Sequence, residues 1–439
     1  MKDFKGAKVT VAGLAKSGIA AALLLNNMGA VVRATDSGDS KALRLAKRKL
    51  IARGISVELG GHSRESVEGG DLVVISPGIP EYSPVLKWAR EMGIPVIGEI
   101  ELGYLCCPAP IVAVTGTNGK STTTTLIGRI LKKGGRHAVV CGNIGNPFCG
   151  EIGKVRKDSV VVLEVSSFQL EGIKKFRPQV SVVLNISQNH FDRHPNLKAY
   201  IGAKARIFEN QGKTDRTVLN FDDPLTRKLA SATRAKVLFY SRRKGSPAPV
   251  CRQEEMKIKG AHNMENLLAC QSVASIFGIS RRKVRQAVMG FKGLEHRFER
   301  VKEIEGVEFI NDSKGTTVLA TVMALESCQR PVILIAGGHD KGSDFTRASR
   351  AVALKVKKLV LIGEAKRKIK KQLGKSTPCI SAGSMKDAVE KAFALASRGD
   401  CVLLSPMCAS FDMFKNFEER GKAFKDEVRS LKKRRGSLK

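Results

Sequence analysis

Ile111-Val112-Ala113-Val114-Thr115-Gly116-Thr117-Asn118-Gly119-Lys120-Ser121-Thr122 is the stretch that decides the fold. An unbroken apolar run ended by a glycine turn reads as a buried strand. The residues after it set Leu126, Ile127, Ile130 and Leu131 at helical spacing, which predicts a helix from Ser121 to about Lys133. Backbone N–H groups of such a turn, with the helix N-terminus, form a cradle for phosphate oxygens. Lys120 would reach the terminal phosphates, and Ser121 or Thr122 would place a hydroxyl on Mg²⁺. Val114 stands where the first glycine of G-x-x-x-x-G-K-[ST] belongs, so the loop is a shortened form. An ordinary strand-to-helix connection is the alternative. The strand before the loop and the helix after it favour binding of a nucleoside triphosphate.

The 439 residues allow about three domains, each with its own core. Hydrophobic and charged fractions of 42% and 27% are those of a soluble globular chain. Apolar runs such as Ile19 to Leu25 fall far short of the roughly 20 residues that cross a bilayer, so no membrane insertion is expected. The first residues enter a strand at once, which argues against a signal peptide. Ten cysteines without a C-x-x-C pair fit reduced thiols and a cytoplasmic location. The formal charge of +35 raises nucleic-acid binding as one reading. Yet the cations are spread along the chain, only Lys432–Arg435 forms a compact run, and no aromatics interleave with them. Anionic small-molecule substrates are the preferred explanation, with no nucleic acid expected.

Strand-like and helical runs alternate throughout, which predicts parallel α/β domains in series. The first holds strands at Lys8–Ala12, Val31–Ala34, Leu72–Ser76 and Pro95–Ile97, and Cys106-Cys107-Pro108-Ala109-Pro110 reads as a linker. The second starts at the phosphate loop and continues through Val160–Val165, Val180–Ile186, Thr217–Asn220 and Val237–Tyr240. The third begins near Gly293, with strands at Val307–Ile310, Val332–Ala336, Leu359–Ile362 and Val402–Leu404. The expected boundaries are 1–108, 109–293 and 294–439.

Ligands of open α/β sheets sit beyond the carboxyl ends of the strands, so the polar residues there carry the chemistry. Gly13-Leu14-Ala15-Lys16-Ser17-Gly18 is a dinucleotide-type turn with its middle glycine replaced, and Asp36 lies where a ribose-binding acid would. It suits a nucleotide diphosphate as well as NAD. Ser76-Pro77-Gly78-Ile79 adds a turn on that rim. Glu164 closes the strand Val160–Leu163 in the phosphate-loop domain, a position suited to holding Mg²⁺. Further on come Asn189-His190-Phe191-Asp192-Arg193-His194 and a helix Asn196–Asn210 carrying Lys204 and Arg206. The third segment ends its strands in Asn311–Thr317, His339–Phe345 and Ser405–Asp412, loops suited to a small anionic substrate or to turn-making alone.

Taken in order, Gly116–Thr122, Glu164-Val165-Ser166-Ser167-Phe168-Gln169-Leu170, His190–Pro195, His262-Asn263-Met264-Glu265-Asn266, His296-Arg297-Phe298-Glu299 and Asn311-Asp312-Ser313-Lys314 resemble the Mur ligases. The Asp-Ser-Lys loop, Lys341–Phe345 and Ser410…Phe414–Glu418 point to the D-glutamate-adding type within that family. The resemblance covers essentially the whole chain. It implies a Rossmann-like N-terminal domain, a central P-loop ATPase-type domain and a Rossmann-like C-terminal domain. It also implies that ATP phosphorylates the carboxylate of UDP-N-acetylmuramoyl-L-alanine, after which the amine of D-glutamate attacks the acyl phosphate.

By the same resemblance Lys120 stabilises the transferred phosphoryl group. Glu164 and His190 hold Mg²⁺, Ser121 serves a second ion, and Lys204 aligns with a carbamylated lysine that binds metal. Gly116, Thr117, Asn118, Gly119, Ser121, Thr122, Asn263, Asn266, Arg297 and Asp312 would surround ATP. Ala15, Lys16, Asp36, Ser37 and Gly78 would hold the uridine diphosphate, with Asn143, Ser166 and Gln169 on the muramoyl part. Lys314, Thr316, Lys341, Ser410 and Phe417 would hold D-glutamate, and the protein would act as a monomer. The chain departs from the family at Gly315-Thr316-Thr317, usually Ala-Thr-Asn, at Asn189, usually acidic, and at Glu295, usually proline. Three rivals remain at this point: a folylpolyglutamate-synthase-like ligase, a nicotinamide-dependent dehydrogenase using Gly13–Gly18, and a basic nucleic-acid-binding NTPase.

Overall fold

The computed structural model describes residues 3–187, 196–258, 260–340, 342–375 and 377–431. The chain divides into two compact units, Met1–Met256 with Gly260–Phe291, and Lys257–Lys259 with Lys292–Lys439.

The first unit contains two sheets. One is built from β1 (Lys8–Ala12), β2 (Val31–Asp36), β3 (Ser56–Leu59), β4 (Leu72–Ile75) and β5 (Val96–Gly98) in the order β3-β2-β1-β4-β5, all parallel. The other contains β6 (Ile111–Thr115), β7 (His137–Gly142), β8 (Ser159–Glu164), β9 (Val180–Val183), β10 (Arg216–Asn220) and β11 (Lys236–Tyr240). Its order is β11-β10-β9-β6-β8-β7, again all parallel. Strands β6, β8 and β9 are buried along their whole length, because helices cover both faces of a parallel sheet.

The helix Glu99–Cys106 leads from the first sheet to the second and sets two buried carboxylates into the unit. Glu101 accepts three backbone N–H groups, from Lys174, Lys175 and Phe176, at 2.8–2.9 Å. Glu99 accepts the Cys149 N–H at 2.7 Å, while its second oxygen is buried with no hydrogen-bond partner among the described residues. Burial pushes the Glu99 carboxyl up to about 7. At Gly98 the N–H donates to the Gly172 carbonyl at 2.7 Å; a Cβ on Gly172 would lie 2.8 Å from the Gly98 Cα, so the two glycines permit this backbone approach.

The second unit carries β12 (Glu299–Ile304), β13 (Val307–Asn311), β14 (Val332–Gly337), β15 (Val356–Ile362), β16 (Cys379–Ser381) and β17 (Cys401–Leu404). Their order is β12-β13-β17-β14-β15-β16; β12 runs antiparallel to β13 and the other pairs are parallel. One face of this sheet packs Phe309, Ile333, Ile335, Val402 and Leu404 with Phe424 and Val428 of the helix Phe417–Ser430. The other face packs Leu334, Leu359, Leu361 and Leu403 with Leu325, Phe345 and Ile369.

Strands β3, β7, β12 and β16 are additional to those read from the sequence, and each lies at the edge of its sheet. An edge strand needs only one partner and one covered face. Its sequence therefore need not carry the continuous apolar run that marks a central strand. The Ser56–Leu59 and Glu299–Ile304 segments, half-exposed and charged, are of this kind.

Candidate active site

In the second sheet the crossover reverses around β6, which pairs with β8 on one side and β9 on the other. Val114 is in register with Glu164 and Thr115 with Val183, so three strand ends deliver their polar residues to one crevice. The loop after β6 turns through Gly116 (φ 151°) and Gly119 (φ 81°) into the helix Lys120–Lys133. The N-cap residue of that helix is Gly119, which has no side chain with which to cap it. A Cβ at Gly119 would run into the side-chain oxygen of Asn266, which is buried on the helix Ala261–Ile276 and donates to Asn263 Oδ1 at 3.2 Å.

Asn185, just past β9, fixes the loop. Its carbonyl accepts the Thr117 N–H at 2.9 Å, its Oδ1 the Asn118 N–H at 2.8 Å, and its Nδ2 donates to the Asn118 carbonyl at 3.1 Å. The Thr117 hydroxyl lies 3.3 Å from the Tyr200 hydroxyl and accepts the Ser187 N–H at 3.0 Å.

Two ammonium groups converge on this loop. Lys120 Nζ donates to the carbonyls of Gly116 at 2.8 Å and Thr117 at 2.9 Å. Lys204 Nζ donates to the same Gly116 carbonyl at 3.0 Å and lies over the Tyr200 ring at 4.6 Å. Lys204 is only 1% exposed. Burial, reinforced by the Lys120 charge and opposed by Glu164, pulls its pKa well below the usual lysine range. Glu164 is equally buried: one oxygen accepts the Asn143 amide at 2.7 Å, and the other has no hydrogen-bond partner among the described residues.

An orphaned carboxylate oxygen in the same crevice as the buried Ser121 hydroxyl is a hard-oxygen donor set, and it fits Mg²⁺. Among the described residues no three His, Cys, Asp or Glu side chains gather into a metal site of their own. His190 and Lys341 lie outside the described residues.

The residues expected around a uridine diphosphate sit at the carboxyl edge of the first sheet. Gly13 (φ 87°) receives the Ser76 hydroxyl on its carbonyl at 2.7 Å, and Gly18 packs against that same carbonyl so closely that a Cβ would overlap it. Ala15 precedes the helix Lys16–Asn27, whose N-terminus has no side-chain cap. The Asp36 carboxylate accepts the Leu14 N–H at 2.6 Å and the Gly38 N–H at 2.8 Å, while Ser37 and Gly78 are exposed. Ser166 and Gln169 form a reciprocal cap on the helix Ser167–Glu171, so both are engaged locally, and Asn143 is tied to Glu164.

In the second unit the predicted residues cluster around the ends of β13 and β17. Asp312 is buried, accepting the Phe298 N–H at 3.1 Å and the Ser405 hydroxyl at 2.8 Å; burial pushes its carboxyl up to about 7. Arg297 is flanked by His296 (φ 62°) and Phe298 (φ 45°), two left-handed non-glycine residues of the kind that mark functional loops. Lys314 Nζ lies 4.0 Å from the centre of the Phe417 ring, and Ser410 is buried. Thr316 follows in the same loop, and Thr317 caps the helix Val318–Ser327 by accepting the Ala320 N–H at 3.3 Å.

Sequence reasoning passed over Asn185, Tyr200 and Arg420. Asn185 could have been found as the first polar residue past β9. Arg420 had no such signal. It is 1% exposed, and its guanidinium donates to the Ser313 hydroxyl and carbonyl and to the Cys408 and Ala409 carbonyls at 2.8–3.2 Å.

Comparison with known proteins follows the same three-part layout. The family described as "Mur ligase MurD-like, N-terminal domain" matches residues 7–98, "Mur ligase middle domain" 114–274, and "Mur ligase, glutamate ligase domain" 296–408. A UDP-N-acetylmuramoylalanine--D-glutamate ligase of Caldanaerobacter subterraneus is 44% identical over 98% of this chain and 100% of its own. One of the same name from Pelotomaculum thermopropionicum is 46% identical over 99% and 100%. Among solved structures, the UDP-N-acetylmuramate-alanine ligase MurC of Thermotoga maritima superposes with a TM-score of 0.63 at 20% identity, covering 97% of this chain and 100% of that one. The MurF ligase of Thermotoga maritima, solved in complex with ADP, gives 0.59 at 16% identity, covering 97% and 96%. Three family domains in chain order and full-length relatives at this level of identity settle the matter: the chain belongs to the Mur ligase family.

Proposed function

We propose that this enzyme is the ATP-dependent ligase that joins D-glutamate to UDP-N-acetylmuramoyl-L-alanine through an acyl phosphate, in cytoplasmic synthesis of peptidoglycan precursors. Residues 1–108 hold the nucleotide-sugar substrate, 109–293 hold ATP, and 294–439 hold the amino acid. The observation that carries the reading is the crevice in which Lys120 and Lys204 meet on the Gly116 carbonyl in the same domain as the half-orphaned Glu164 carboxylate. The names of the full-length relatives support the choice of D-glutamate.

The reaction brings together a triphosphate, a diphosphate and three carboxylates, so positioning and charge stabilisation carry it. Lys120, held against two loop carbonyls, turns to the transferring phosphoryl group. Backbone N–H groups at the glycine-capped helix N-terminus cradle the phosphates. Asn266, packed on Gly119, and Asn263 beside it bound the adenine side, with Arg297 and Asp312 on ribose and phosphate. Glu164, Ser121 and His190 would hold Mg²⁺, two ions in all, which would supply charge neutralisation. Burial lowers the pKa of Lys204 and so favours the neutral amine that CO₂ addition requires, and a carbamate there would be a further oxygen ligand. Ala15, Lys16, Asp36, Ser37 and Gly78 bind the uridine diphosphate, and Asn143, Ser166 and Gln169 the muramoyl group. Lys314, Thr316, Lys341, Ser410 and Phe417 orient D-glutamate, and the protein works as a monomer.

An oxygen-label experiment tests the chemistry. With the alanyl carboxylate of the acceptor labelled with ¹⁸O, one labelled oxygen leaves in inorganic phosphate during turnover. Unlabelled phosphate alongside amide product would contradict the acyl phosphate.

A further inference from the structure

The helix Phe417–Ser430 presents Gly421 and Lys425 to the loop that holds Arg297. Lys425 is 8% exposed at its side chain and pairs with two carboxylates of that loop, Glu295 and, at 3.1 Å, Glu299. Glu299 is the hub: its other oxygen accepts the His296 N–H at 2.9 Å and the Asn311 amide at 3.2 Å. Asn311 also reaches the His296 ring at 2.9 Å and the Gly421 carbonyl at 3.2 Å. Gly421 has no side chain because a Cβ there would overlap the His296 imidazole. On the far side of Arg297, the Phe298 N–H is taken by Asp312. The two left-handed residues, His296 and Phe298, are thus each fixed by a carboxylate on the backbone N–H, and Arg297 is presented between them. Without Lys425, Glu295 and Glu299 would stand as two like charges flanking the turn, and the partly buried Glu299 would lose its counter-ion.

We infer that Lys425 is a positioning residue for the nucleotide: through Glu295 and Glu299 it holds the His296–Phe298 turn in the shape that aims Arg297. The inference rests on the reading that Arg297 contacts ATP. It separates Lys425 from Arg420, one turn earlier on the same helix, whose bonds go to the Ser313 and Cys408–Ala409 loops near Ser410 and Lys314.

The test uses the full chain, with ATP binding measured by calorimetry, the KM for D-glutamate by turnover, and thermal melting for each variant. Lys425→Met is expected to weaken ATP about tenfold while the D-glutamate KM stays within about twofold. Lys425→Arg restores ATP binding to within about threefold of wild type. Glu295→Gln, at an exposed position, weakens ATP by about two- to threefold and keeps the test open if Lys425→Met fails to fold. Equal ATP binding by wild type and Lys425→Met would overturn the inference alone. So would parallel losses for ATP and D-glutamate with a lowered melting temperature, which mark a merely structural role. Wild type that binds no ATP would overturn the nucleotide reading and this inference with it.

Discussion

Lys120 and Lys204, from two different helices, donate to one and the same acceptor, the carbonyl oxygen of Gly116, at 2.8 and 3.0 Å. Burial of Lys204, and after it the nearby Lys120 charge, disfavour its protonated form, so Lys204 yields its proton more readily than an ordinary lysine. Such an arrangement costs stability and is retained where chemistry needs a neutral amine beside a cation.

The first prediction follows from that pair. Lys204→Ala loses about a hundredfold or more of activity, and added bicarbonate does not restore it. Below the unfolded lysine value, the unfolded chain binds a proton that the folded one resists, so wild-type stability rises with pH toward the alkaline range. Lys204→Met removes that penalty and melts no lower than wild type at neutral pH while remaining inactive. An active Lys204→Ala enzyme would dismiss the carbamate role. Lys120→Ala loses activity by a comparable factor with little change in melting temperature.

Gly119→Ala tests the loop geometry. The left-handed conformation costs about 1–2 kcal/mol for a residue with a Cβ, and the new methyl meets Asn266. ATP binding by calorimetry is expected to fall more than tenfold, about 1.4 kcal/mol, and Asn266→Ala in the same chain to relieve part of the clash. Unchanged ATP affinity would place the nucleotide elsewhere.

Glu99→Gln isolates a buried carboxyl outside the proposed chemistry. Its folded value of about 7 lies above the unfolded 4.5, so the stability it contributes is present below 4.5 and lost as pH rises through 7. The loss is roughly 3 to 4 kcal/mol. Wild type is therefore expected to melt lower at pH 8 than at pH 5.5, and the glutamine variant to show a smaller drop. Identical pH profiles would show that Glu99 keeps an ordinary carboxylate.

Asp312 has the same sign of shift and a different readout. Its carboxyl ionises near 7, and the ionised form is the better acceptor for a ribose hydroxyl. ATP affinity should fall as pH drops below about 7 and be nearly pH-independent in Asp312→Asn. A wild-type profile flat from pH 6 to 8 would count against ribose contact.

The central strands and the strand-end loops were readable because burial on both faces demands continuous apolar runs, and the chemistry follows those runs at once: Thr115 before the glycine loop, Glu164 closing β8, Asn311 closing β13 with Asp312 after it. Four of the six edge strands, β3, β7, β12 and β16, were not, since their residues answer to one neighbour only. Side-chain roles were harder. Asp36 reads as a ribose acid, yet its carboxylate holds the Leu14 and Gly38 N–H groups. Ser166 and Gln169 read as substrate contacts and cap each other's helix. Thr317, in a loop that departs from the family pattern, is itself a helix cap. The left-handed turns at His296 and Phe298 leave no trace in composition, because neither residue is the glycine that usually announces them. Arg420 looks like any surface arginine until the helix is placed over the β13 and β17 loops.

The most direct test of the central claim is ADP release by the purified chain with ATP, Mg²⁺ and UDP-N-acetylmuramoyl-L-alanine, run across a panel of candidate amino acids. The account predicts turnover with D-glutamate, and only background with L-alanine, meso-diaminopimelate and L-glutamate. Turnover with another amino acid and none with D-glutamate would contradict it.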